Sequence, residues 1–292
     1  MSRTALALRS VYFVLGGEAT AAAEIQRLPA DAFVFDLEFF TPPAEKVRAR
    51  EQVCAAVKGG GFGPRQLAIR VNPLTTRWGY DDLTAAAISG ANAVLLPKVD
   101  GGDAVRDAEQ VLLGSGAPDD IAIWCMMETP RGVLNAAQIA AASPRVRVFV
   151  MGVMDLTGEL GAGAPRDRTP VLTSLGLCLL AARAAGVAIV DGVHLDRDDQ
   201  SGLLRACSQG RDLGFDGKIV RYPEQIDAAN RMFSSTEEEL ATARKIIEVD
   251  KAAQARGEAL VPGDPVESRR AVEIYGAVLA REEAIRKIHF RS

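Results

Sequence analysis

Histidine is nearly absent from this chain, with two in 292 residues, His194 and His289. That scarcity excludes a histidine-rich zinc or iron centre. Cysteine is sparse too. Cys54, Cys125, Cys178 and Cys207 lie far apart with no CxxC pair, and Cys125 and Cys178 sit inside apolar runs, where a thiol behaves as a small hydrophobe. The pattern argues against a disulfide framework or zinc site and for a reducing, cytoplasmic compartment. There is no excess of positive charge. Lys and Arg number 34 against 38 Asp and Glu, a net charge of −4, which leaves no electrostatic footprint for nucleic acid or an anionic membrane. No apolar run reaches the ~18 residues of a membrane span. The opening MSRTALALRSVYFVLGG places one basic residue before an apolar stretch, as a signal peptide does, but Arg9-Ser10 interrupt it and VYFVLG reads better as a strand. The Gly-rich KGGGFGP (58–64) lacks the lysine that closes a P-loop and follows no strand, so it reads as a loop.

What the chain has in quantity is apolar surface, 48% of residues against 25% charged, enough for a sizeable core. Short β-rich runs alternate with Ala-rich segments of helical period. The runs are 11–15, 32–38, 67–72, 93–99, 121–128, 146–152, 187–193 and 218–223. Most are near-continuously apolar, as expected when both faces of a parallel strand are buried. Thr129-Pro130 reads as a helix start with proline in the first turn, and Asp81-Asp82 as another capping signal. Eight strands alternating with helices predict a (β/α)8 TIM barrel over 1–232, with an open doubly wound sheet as the alternative. No repeat or linker interrupts it. The remaining stretch, 233–292, predicts a helical C-terminal extension, a lid or an oligomerisation arm. Its VEIYGAVLA segment presents an apolar stripe suited to a homo-oligomer or to packing on its own barrel.

Polar residues fall at the C-terminal ends of these runs. Asp36 and Glu38 end the second, Arg70 and Asn72 the third, Lys98 the fourth and Glu128 the fifth. Asp155 follows the sixth, Asp191 ends the seventh, and Arg221-Tyr222 the eighth. In a (β/α)8 barrel those ends converge on the face that carries the active site. Charges gathered there are costly unless they pair or bind something. Glu128 and Asp155, on consecutive βα units with no histidine nearby, suit a hard cation that keeps several waters, most often Mg²⁺. The bland alternative makes Glu128 a helix cap and Asp155 a loop carboxylate. Arg70 suits a carboxylate or an oxygen gaining negative charge, or else it neutralises Asp36 or Glu38. Lys98 reads as an ion-pair partner rather than a Schiff-base lysine, since the acids around it keep it protonated.

In order along the chain, Arg9-Ser10, VFDLE (34–38) with Lys46 and Arg50 after it, RVNPLTTRWGYDDL (70–83), LPKV (96–99), METPRGVLNAAQIA (127–140), MGVMDLTGELG (151–161) and the segment 190–230 resemble the citrate lyase β-subunit-like family of CoA-ester lyases in the HpcH/HpaI aldolase superfamily. The resemblance implies Glu128 and Asp155 as Mg²⁺ ligands, with Mn²⁺ as a substitute and no organic cofactor. It implies Arg70, Asp36 and Glu38 as the catalytic group, and Arg9, Asn72, Lys98, Arg221 and Tyr222 as substrate contacts. The implied chemistry is reversible cleavage of a hydroxyacyl-CoA into an acyl-CoA and a small 2-oxo acid. A malyl-CoA-type thioesterase or synthase, a non-CoA 2-oxo-acid aldolase and a non-catalytic regulatory homologue are the alternatives. A homo-oligomer, a trimer by that resemblance, is implied as well. Four departures from the family pattern stand out. Phe39 replaces a second acid after Asp-Leu-Glu, Arg221-Tyr222-Pro223 replaces Ile-His-Pro, and Gly16-Gly17 replaces Pro-Gly. The tail ARGEALVPGDPVESRRA is shortened, with Asp264 beside the position where relatives carry an Asp delivered from a neighbouring subunit.

Overall fold

Eight parallel strands pair in sequence order and close on themselves, β1 against β8, in the computed structural model, which describes residues 5–163, 167–256 and 265–289. Asp264 lies outside the described residues. The order begins β1 (Ser10–Leu15), α1 (Ala22–Ile25), β2 (Ala32–Asp36), α2 (Lys46–Lys58), β3 (Gln66–Arg70), α3 (Gly79–Ala87), β4 (Ala93–Leu96) and α4 (Gly102–Gly114). It continues with β5 (Ala122–Met127), α5 (Pro130–Leu134), α6 (Ala136–Ala141), β6 (Val146–Met151), α7 (Val153–Glu159), α8 (Leu172–Ala185), β7 (Ala188–Asp191), α9 (Gln200–Leu213), β8 (Gly217–Val220) and α10 (Ile226–Phe233). This is the (β/α)8 barrel that the alternation predicts, not an open sheet. Each expected strand is present, and most end a few residues earlier than expected. The trailing residues leave the ladder to form the loops of the mouth.

Alternation along the strands sorts side chains between two layers. Phe33, Phe35 and Leu37 join the apolar layer under the helices, as do Leu67, Ile69 and Val71, and Ile123, Cys125 and Met127. Their neighbours Asp36, Glu38, Arg70, Met126 and Glu128 therefore face the barrel axis. Register then decides who meets whom. Asp36 pairs with Arg70 across β2 and β3, and a shift in the β5–β6 ladder between Ile123 and Trp124 sets how those two strand ends align. Barrel closure depends on Gly217, where a Cβ would lie 1.6 Å from the Leu8 carbonyl oxygen.

Helix starts follow local chemistry. Thr129 caps α5, accepting a hydrogen bond from Gly132 N–H at 3.0 Å, with Pro130 in the first turn. Asp82 corrects the capping expectation for α3. It is fully buried, and its Oδ2 accepts from the Asn72 backbone and side chain at 3.1 and 2.5 Å.

The chain forms two compact units, Leu8–Phe233 and a second drawn from the chain ends, up to Ala7 and from Ser234 on. In the second, α11 (Glu237–Ala255) and α12 (Pro265–His289) pack on one another, and a Cβ on Gly276 would rest 3.9 Å from Ile247. Thr236 starts α11 with a capping box closed by Glu239. Among the described residues no helix is long and apolar enough to cross a membrane.

Candidate active site

Arg70 is the hub of the axial face. Its Nε and Nη2 each lie 2.6 Å from the two oxygens of Asp36, a bidentate pair with both side chains buried. Nη1 is 3.3 Å from Glu38 Oε2, and the guanidinium lies 5.3 Å from the centre of the Phe13 ring. Burial works against its charge, but the adjacent Asp36 and Glu38 outweigh it, and its pKa is raised above the usual arginine value. The neutralising role of Arg70 is thus real. It coexists with a position on the wall of the axial cavity, which Asp155 also lines. Burial pushes the Glu38 carboxyl up, with the Arg70 charge opposing the shift and Asp36 adding to it.

Glu128 follows the last residue of β5 and is 1% exposed. It does not cap α5, a task that Thr129 performs. Instead its Oε1 accepts the backbone N–H of Lys98 at 2.7 Å. Lys98 adopts φ 50°, a left-handed conformation unusual for a residue with a side chain, and its N–H meets the carboxylate from that conformation. Gly152 supplies the room, since a Cβ there would lie 2.3 Å from Glu128 Cβ and 2.5 Å from Oε2. Burial first, then the charges of Asp155 and Glu38, push the Glu128 carboxyl up to about 7 against the pull of Arg70 and the Lys98 N–H. Asp155 is in the first turn of α7, directly after β6.

The other expected site residues divide. Arg9 is a correction. It precedes β1, at the N-terminal end of the barrel, and is locked to buried Asp31, with Nε and Nη2 each at 2.9 Å. A residue at the strand start points away from the mouth, so Arg9 is no substrate contact. Asn72 is also redirected, to a buried relay behind the site. Lys46 Nζ donates to the carbonyl oxygens of Leu37 and Glu38 at 2.8 and 2.5 Å and to Asn72 Oδ1 at 2.7 Å. Asn72 passes the chain of contacts to Asp82, beside Arg50 as an ion pair without hydrogen-bond geometry. Burial lowers the Lys46 pKa while Glu38, Asp36 and Asp82 hold its charge in place. All three ammonium protons are used, and the backbone carrying Glu38 is held by them.

Lys98 makes no ion pair within 4.0 Å among the described residues, contrary to expectation, and is exposed; its charge still acts on Glu38. Arg221 lines the cavity and pairs with Glu18 at 2.9 Å. The ring of Tyr222 is taken up by Arg197 and Arg221, whose guanidinium carbons lie 5.3 and 5.8 Å from its centre. Asp191, expected at the mouth, is buried against Arg168 and Lys218, at 2.7 and 2.8 Å. Sequence reasoning gave no role to Lys218, Gly152 or Phe13. Gly152 had a local signal, standing directly between the β6 run and the loop acid. The other two had none, because each acts through a residue distant in sequence.

By class, then, this is an eight-stranded parallel barrel with carboxylates and a carboxylate-fixed arginine at its C-terminal mouth. The chain belongs to the HpcH/HpaI aldolase/citrate lyase family, whose model matches residues 9–223. It is 41% identical over 287 residues to a (3S)-malyl-CoA thioesterase of Cereibacter sphaeroides, covering 98% of each chain. It is 33% identical over 254 residues to the citrate lyase subunit beta of Escherichia coli, covering 85% of this chain and 84% of that one. Among solved structures, the protein CitE of Mycobacterium tuberculosis in complex with magnesium, acetoacetate and coenzyme A is similar at a TM-score of 0.68 and 26% identity, covering 97% of this chain and 100% of that one.

Proposed function

We propose that the chain is a Mg²⁺-dependent carbon–carbon lyase that cleaves a hydroxyacyl-CoA into an acyl-CoA and a small 2-oxo acid, or runs the reverse condensation. The observation that carries this reading is the Asp36-fixed Arg70 sharing the axial face with buried Glu128 and with Asp155. The donor chemistry fits the cation. Among the described residues no cluster of three or more His, Cys, Asp or Glu could cage a metal. Two carboxylates with room for water match what Mg²⁺ takes from a protein, and Mn²⁺ would substitute. The packing of Gly152 against Glu128, where even a methyl group would collide, keeps that carboxyl in the space between β5 and β6. When bound, the cation would supply Lewis-acid contact to the carbonyl and carboxylate oxygens of the oxo acid. Arg70, unable to lose its proton, stabilises negative charge on the same oxygens. In the cleavage direction Glu38 accepts the hydroxyl proton, the carbon–carbon bond breaks, and its electron pair leaves on the acyl-CoA as an enolate, which is then protonated. Asp36 holds the arginine fork in register, and Lys46 holds the Glu38 backbone.

Hydrolysis of the thioester is the second reading, favoured by the full-length similarity to malyl-CoA thioesterases. One assay separates the two. Malyl-CoA incubated with enzyme and Mg²⁺ is expected to give acetyl-CoA and glyoxylate by mass spectrometry. Malate and free CoA, with no acetyl-CoA at early times, would replace the lyase by the thioesterase. An enzyme inert toward malyl-CoA and toward its homologues with an alkyl substituent on the oxo-acid part would remove both.

The Glu128 carboxyl, pushed up to about 7, makes cation binding a proton exchange. A raised carboxyl is protonated below that pH, so the cation must displace a proton there and none above it. Mg²⁺ affinity measured by calorimetry is expected to fall about tenfold per pH unit below 7 and to level off above it. A flat profile from pH 6 to 8 would count against Glu128 as a ligand. The four free cysteines, three of them buried, support a cytoplasmic setting, and the α11–α12 hairpin is the element proposed for homo-oligomer assembly.

A further inference from the structure

The cavity at the barrel mouth has an unequal lining. Arg70, Asp155 and Arg221 are its charged residues; the rest of the lining is hydrocarbon, with Phe13, Phe39, Phe40, Met126, Met154 and Leu195 among it. Phe39 and Phe40 pack edge to face at 4.7 Å between ring centres, yet each is 51% exposed, and Met154 is 48% exposed. Large apolar side chains left half in water beside a polar site gain by being covered. Among the described residues the only cation on this lining besides Arg70 is Arg221, which Glu18 pairs at 2.9 Å. A second carboxylate on the bound acid would therefore meet mostly hydrocarbon along this lining, at a desolvation cost. An alkyl substituent would bury itself against aromatic and methionine surfaces, and methionine adapts to irregular shapes. The cavity holds about 70 Å³, on the order of five water-sized groups at ~10–15 Å³ each, which the carboxylate and carbonyl of the acid fill, so a substituent extends over the half-exposed Phe39, Phe40 and Met154.

From this we infer that the 2-oxo acid held at Arg70 and Asp155 is a monocarboxylate with an unbranched alkyl substituent, its tail lying against Phe39, Phe40 and Met154. The inference rests on the proposed oxo-acid site and names the class of acid that fills it. With the carboxylate and carbonyl held at Arg70 and Asp155, the substituent has the apolar remainder of that lining to meet. Phe39 and Met154 are the specificity-determining residues.

The test is calorimetric titration of the full chain with excess Mg²⁺, using glyoxylate, pyruvate, 2-oxobutyrate, 2-oxovalerate, 2-oxohexanoate and oxaloacetate. Affinity is expected to rise roughly threefold to fourfold per added methylene up to 2-oxovalerate or 2-oxohexanoate, with oxaloacetate weaker than 2-oxovalerate. Phe39→Asp is expected to lower the ratio of 2-oxovalerate to glyoxylate affinity at least about tenfold. Met154→Asp, in the first turn of α7 and also half exposed, should move the same ratio in the same direction, so misfolding of one variant leaves the other to decide. Glyoxylate or oxaloacetate binding tightest, or a ratio unmoved in both variants, would overturn the inference while leaving the oxo-acid site standing. Failure of every acid to bind would remove that site, and the inference with it.

Discussion

Arg70→Met is expected to abolish turnover and to lower the melting temperature by on the order of 10 °C. The substitution keeps most of the side-chain volume and removes both hydrogen bonds, each 2.6 Å long, that satisfy the Asp36 carboxylate. Asp36 is 1% exposed, so its charge would be left buried with the Glu38 N–H as its one remaining described hydrogen-bond donor. Breaking a buried pair from one side costs about 3–5 kcal/mol, which is more than the intact pair contributes relative to an apolar replacement. The double variant Arg70→Met with Asp36→Leu should therefore recover much of the lost melting temperature and none of the activity. That strong non-additivity in stability, beside full loss of turnover, is the signature of a pair kept for chemistry. A double variant that melts as low as the single one would show that the pair holds the barrel mouth together, and retained turnover in Arg70→Met would end its catalytic assignment.

Glu128→Gln should act the other way on stability while costing as much in rate. The amide preserves an acceptor for the Lys98 N–H and removes a charge that burial disfavours. Because the folded-state pKa lies above the ordinary carboxylate value, the ionised glutamate costs stability above about pH 7, and the cost disappears as pH falls toward the unfolded value. Metal-free Glu128→Gln is thus expected to melt higher than the parent at pH 8, with the difference closing by about pH 5. Turnover should fall at least about 10²-fold, since even residues that only support a metal ligand are worth 10–100-fold. Asp155→Asn should lose activity to a similar extent with little change in melting, being in the first turn of a short helix and only half buried. Parental activity in either variant would leave the cation without its ligands.

Much of the barrel was legible because its strands are apolar on both faces. Near-continuous runs such as 121–128 have few other places to be, and the change from an apolar run to Glu128-Thr129-Pro130 marks a strand end followed by a helix start. The strand-end position of Glu128 and Arg70 could be read the same way. Other assignments failed for an identifiable reason. Asp191 and Asp36 look alike in sequence, each a carboxylate closing an apolar strand. One turns outward to Arg168 and Lys218, the other inward to Arg70. Parity along the strand and a partner many residues away decide between them. Arg9 was placed at the mouth by resemblance, although it stands before its strand, and Asp31 holds it at the opposite end.

The amino-acid sequence by itself determined the number, order and type of the barrel elements and the strand ends where charge collects, because local patterns of burial and capping are written in consecutive residues. The tertiary structure alone decided which of those charges share an environment. It turned Asn72, Asp82 and Lys46 into a support for the Glu38 backbone, brought the Lys98 N–H to Glu128, and set Phe39 and Met154 around one cavity. Each of those contacts depends on strand register and barrel closure, which bring together residues that no local pattern relates.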